Sequence, residues 1–147
     1  MATTTTHIIP LVSSGTAGPL GAIHLPRLWA KLTLDAAGRL PEDYDAFGSG
    51  FDQLTVNDLG LKKEEVVEYM RSKKPTYVEF EEWVVAHGKT DPETVRKHNE
   101  NVRGYNHGDE TASRIRGETG LKRTDVKDAV TLNSLEDLQA FYSAVNS

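Results

Sequence analysis

Apolar residues recur three and four positions apart through most of this chain, and each run is soon cut off by a glycine or a proline. Such a pattern describes short helices packed on one another, because the period-two alternation of strands is nearly absent. Leu25, Leu28, Trp29, Leu32 and Ala36 share one helical face that ends at Gly38. Phe51, Leu54, Thr55 and Leu59 lead to Gly60. Leu61, Val66, Val67 and Met70 lead to RSKKP, cations at a helix end followed by a proline.

Thr76 with Glu79 forms a capping-box pattern ahead of Tyr77, Phe80, Trp83, Val84 and His87, and Gly88 closes that helix. Asp91 and Pro92 then open the next helix as N-cap and first residue, with Val95, His98, Val102 and Tyr105 on its apolar face. The short GKT connection predicts an antiparallel αα-hairpin. Beyond Asn106 the pattern thins. It leaves a short helix from near Asp109, a turn or two at TDVKDAV, and a last helix over 133–144 with Asn133 and Glu136 as a cap pair and Leu135, Leu138, Phe141 and Tyr142 as its stripe.

With 147 residues of which 37% are hydrophobic, the chain can bury one ordinary core. The expected fold is therefore all-α, a compact single-domain bundle of about five or six short helices over residues 21–147. Residues 1–20, rich in Thr, Ser, Gly and Pro, read as an extended or flexible arm.

A formal charge of -5 has the wrong sign for a protein that holds nucleic acid by neutralising phosphates. The absence of cysteine removes disulfides, thiolate nucleophiles and Cys-ligated metals. HIIPLV is too short for a secretory core, and no segment approaches the roughly twenty apolar residues that cross a bilayer. These features predict a cytoplasmic protein with neither a membrane nor a nucleic-acid partner.

The stretch GAIHLPRLWAK raises the functional question, since a helix start explains Pro26 but requires neither His24 nor Arg27. His24, Arg27, Lys31 and Asp35 fall on one flank beside the apolar face. They read either as a solvated stripe with a weak Lys31–Asp35 pair, or as a pocket rim that binds the carboxylate or phosphate of a small anionic metabolite. His87 and His98 lie on the apolar sides of the two hairpin helices. The hairpin would bring them together, and they read either as structural imidazoles bonded to a carbonyl or carboxylate, or as candidates for acid–base catalysis or substrate contact. Tyr44, Trp83 and Asn99 would complete the pocket wall.

Three imidazoles at His24, His87 and His98 would suit zinc, but no spacing enforces their convergence and no metal site is predicted. The chain has no HExxH pair, EF-hand loop, P-loop, GxGxxG or GxSxG, so no cofactor class is implied. The other reading is a non-catalytic interaction module, a homodimer that buries Trp29, Tyr142 and the last helix.

GAIHLPRLWAKLTLDAAGRLP, the turn-rich segment with Tyr44, FDQLTVNDLGLKKEEVVEYM and EFEEWVVAHGKTDPETVRKHNENV together resemble the bacterial domain-of-unknown-function family 5069. HLPR, at His24 to Arg27, is the most specific element of the likeness, which runs from about Gly21 to Val102. The Thr-rich arm and the tail beyond Asn106 depart from it. The resemblance implies a small helical bacterial protein and brings no residue role, substrate or cofactor with it.

Overall fold

A computed structural model describes residues 6–146; residues 1–5 of the expected arm and Ser147 lie outside the described residues. Seven α-helices follow in order: α1 Leu25–Ala36, α2 Phe51–Asp58, α3 Lys63–Lys73, α4 Tyr77–His87, α5 Pro92–Arg103, α6 Asp109–Thr119 and α7 Ala129–Val145. Among the described residues there is no strand, only an isolated bridge between Asn106 and Asp128. The fold is one compact all-helical domain, with slightly more helices than the periodicity suggested.

The terminators act where the sequence put them. Thr76 and Glu79 make both bonds of the capping box: the Glu79 amide donates to Thr76 Oγ1 at 3.2 Å, and the Thr76 amide to Glu79 Oε1 at 2.9 Å. Asp91 caps α5 by accepting from the Thr94 amide, with Pro92 as its first residue. The last helix differs from expectation. It begins at Ala129, capped by Asp128, and Asn133 lies inside it, where its side-chain oxygen meets His107 Nε2 at 2.8 Å.

The largest apolar cluster gathers Leu25, Leu28 and Leu32 of α1 with Val56, Leu59, Val66, Met70, Phe80 and Val84. A second cluster of Ile23, Phe51, Val102 and Ala129 links it to a third, of Ala112, Ile115 and Leu132, between α6 and α7. Trp29 packs at the edge of the main cluster and donates to the Pro75 carbonyl at 3.1 Å, so it is not a free interface residue.

α4 packs chiefly on α1, whereas α5 packs on α2 and α7, so the short connection does not make a mutually packed αα-hairpin. A Cβ on Gly88 would stand 2.5 Å from the Leu59 carbonyl, which accepts from the Lys89 amide at 2.7 Å. The connection is thus docked on the end of α2. Among the described residues no helix is long and apolar enough to cross a membrane.

Candidate functional site

The flank of α1 carrying His24, Arg27 and Lys31 is buried, with exposures of 2%, 7% and 8%. It is a polar seam inside the protein, not a solvated stripe. The expected Lys31–Asp35 pair does not form; Asp35 instead stands 3.9 Å from Arg71. Lys31 Nζ meets Asp52 Oδ2 at 2.5 Å, and His24 Nε2 meets Asp52 Oδ1 at 2.6 Å.

Asp52 sits in the first turn of α2, where the helix dipole favours an anion, and the Gly48 amide also donates to it at 2.7 Å. Burial alone would push its carboxyl up, but the His24 hydrogen bond and the Lys31 charge outweigh that and hold it at about 2. His24 moves the other way in charge terms. Burial holds its pKa below the ordinary 6.5 despite the neighbouring carboxylate. The ion pair is therefore Lys31–Asp52, and the neutral His24 ring donates from Nε2 to Asp52 while its Nδ1 accepts from Ser14 Oγ at 2.9 Å.

His24 is also the N-cap of α1 with φ +70°, a left-handed backbone that a side chain larger than glycine adopts at a cost. Two neighbouring residues of α5 hold it there. His98 Nε2 donates to the Ile23 carbonyl at 2.9 Å, and Asn99 accepts from the Ile23 amide at 3.0 Å while donating to the Gly21 carbonyl at 2.8 Å. His98 Nδ1 lies 2.7 Å from Asp58 Oδ2, so both ring nitrogens are engaged.

Arg27 reaches Asp137 on α7 through both Nη atoms, at 2.6 and 3.2 Å. Its Nη1 also donates to the carbonyls of Pro10 and Val12 at 3.0 and 2.9 Å. These bonds fasten the N-terminal segment across α1. Tyr44 Oη donates to Asp137 Oδ1 at 2.8 Å, and burial, then the Asp137 charge, raises its pKa so that the phenol stays protonated.

This seam forms one wall of a cavity of about 640 Å³, a volume that suits a small molecule. Tyr44 and Gly48 of the loop before α2, Phe51, His107 and the inner side of α7 complete it. Of the residues singled out in the sequence, His24, Arg27, Lys31 and Tyr44 converge here. The others do not. His87 is exposed and stacks on Trp83 with centroids 4.4 Å apart, and Trp83 stacks on Tyr69 at 4.6 Å, away from the cavity. His98 is fully buried and Asn99 acts on the backbone behind the wall, so His87 and His98 share no site. Nor do His24, His87 and His98 gather round a common point, and among the described residues no group of three His, Asp or Glu is placed to hold a metal.

Sequence reasoning missed Asp52, Asp137 and Ser14. Asp52 left a trace, as an acid in the first turn after GSG. Asp137 left none, because Leu135, Leu138, Phe141 and Tyr142 suggested the opposite face of α7. In the fold Ala129, Leu132 and Asp137 point inward, and Leu138, Phe141 and Tyr142 are exposed.

The cavity can bind by hydrogen bonding and charge. Arg27 commits both of its Nη groups to Asp137 and two carbonyls, so less of its fork faces a ligand than the sequence suggested. Lys31 has three donors and, among the described residues, one acceptor, Asp52. Asp43, Asp45, Glu118 and Glu136 make the remaining lining acidic. No family model matches this chain and no curated protein is detectably similar to it, so the resemblance to family 5069 rests on its motifs alone.

Proposed function

We propose that the protein binds a small polar metabolite in this cavity, with an anionic group of the ligand on the Lys31 ammonium and a cationic group toward the acidic side formed by Asp43 and Asp45. The single observation that carries this reading is Lys31: a buried ammonium on the wall of a 640 Å³ cavity, held by one carboxylate and with donors left over. Folding alone gives no reason for this arrangement, since burying charge is costly and apolar residues of similar volume often serve stability as well or better. The left-handed backbone at His24 adds to that cost at the same wall.

The ligand class that fits both signs is a zwitterion, an amino-acid-like molecule rather than a simple anion. His24, Ser14 and Asp52 hold the wall in register. Ser14 is buried and does not line the cavity, and both His24 nitrogens are engaged, so the arrangement supports binding more directly than nucleophilic chemistry.

A thermal-shift panel of small amino acids, the matching carboxylic acids and the matching amines tests the proposal. Zwitterions should raise the melting temperature more than either single-charge series, and Lys31→Gln should abolish the rise measured against its own unliganded midpoint. Equal responses to all three series, or a response that survives Lys31→Gln, would reject it.

A further inference from the structure

The exposed side of α7 is the largest unexplained apolar feature of the fold. Leu138, Phe141, Tyr142 and Val145 stand at i, i+3, i+4 and i+7 and are 57%, 47%, 61% and 64% exposed. That is the spacing of a buried helical stripe, yet among the described residues it stands exposed. Scattered surface leucines need no explanation, whereas a contiguous stripe with two aromatic rings does.

We propose that this face pairs with its own copy, α7 against α7 about a two-fold axis, to make a homodimer. The charge pattern selects that occupant. From Leu138 to Asn146 there is no Asp, Glu, Lys or Arg, in a chain where such residues make up 27%. In a two-fold contact every residue meets the same patch it belongs to, so a charged stripe would repel itself and an uncharged one is self-complementary. An acidic or basic partner would find nothing there to pair with. Along an antiparallel crossing Phe141 and Tyr142, at the middle of the stripe, meet their counterparts, which gives the aromatic centre usual in such contacts.

The pairing reaches the cavity through one helix. Gln139, Ala140 and Ser143, on the neighbouring side of the same turns, line it. The second copy therefore fixes the part of α7 that walls the ligand site, although self-association is tested independently of any ligand.

Sedimentation of the full chain over a wide concentration range is the test. The wild type should pass from 16.2 kDa toward twice that mass, and the double variant Phe141→Asp/Tyr142→Asp should stay at 16.2 kDa with unchanged helicity. The absence of native cysteine allows a second reading of the same contact. Phe141→Cys should oxidise to a disulfide-linked dimer, while Val85→Cys, equally exposed on α4, should not. A wild type that stays monomeric throughout, a dimer that survives the double variant, or a monomer that uses this stripe to bind lipid vesicles would each overturn the proposal.

Discussion

The seam along α1 and the outer faces of α5 and α6 use the same residue types to different ends. On α5, Arg96 pairs with Glu93 and Glu100, and on α6, Arg114 pairs with Glu118 and with Glu136 of α7, all through well-exposed arginines. Water screens these pairs and can replace either partner, so they contribute little. On α1, Lys31–Asp52 and Arg27–Asp137 are shut away from solvent, and the donors and acceptors around them are made by distant parts of the chain. There each charge depends on its partner. What separates the two regions is the medium around the ions rather than their number or chemical type.

That contrast can be broken most severely at Asp52. Asp52→Asn keeps the shape but removes the counter-charge of buried Lys31 and one of the two oxygens that accept from His24, Lys31 and the Gly48 amide, and should cost about 3–5 kcal/mol in urea unfolding, the usual loss when one member of a buried pair is removed. Arg27→Met comes next, at roughly 3 kcal/mol, because it strands the Asp137 carboxylate. Adding Asp137→Leu should recover a large part of that loss, a rescue that no exposed pair would show.

Acidification sharpens the comparison with a smaller effect. His24 has a folded pKa below its unfolded 6.5, so below that pH the unfolded chain takes up a proton that the folded chain refuses. Asp52 has the same sense, with its contribution complete above 3.8 and lost as pH falls toward about 2. Unfolding free energy should therefore be level above about pH 6.5, decline below it, and decline again below about pH 4. His24→Gln should remove the first decline and leave the second. At the other extreme, Arg96→Met should leave the denaturation midpoint unchanged within error, and salt should affect the wild type little through that pair.

The helices were legible because their signals are local. Thr76 with Glu79, Asp91 with Pro92, and the glycines after the apolar runs act within a turn of where they stand. The start of α7 was misplaced for a related reason: Asp128 and Asn133 are both good cap residues, and only the bridge from Asn106 to Asp128 and the packing of Ala129 decide between them.

The site was half legible. The spacing of His24, Arg27 and Lys31 placed them together, and Tyr44 joins them at the cavity. Their partners were not, because Asp52 and Asp137 lie 21 and 110 residues away from the cations they hold, and no local pattern pairs such positions. The expected His87–His98 site failed for a packing reason. His98 turns inward as a backbone clamp behind His24, while His87 stays at the surface against Trp83.

A neutral His24 ring between Ser14 and Asp52 is what distinguishes a buried hydrogen-bonded seam from a row of ordinary surface charges. Long-range proton–nitrogen NMR of the imidazole reads it directly. At pH 6.5 the ring should be protonated on Nε2 alone and gain its second proton only at lower pH. A ring already half charged at pH 6.5 or above, or one protonated on Nδ1 alone, would contradict it.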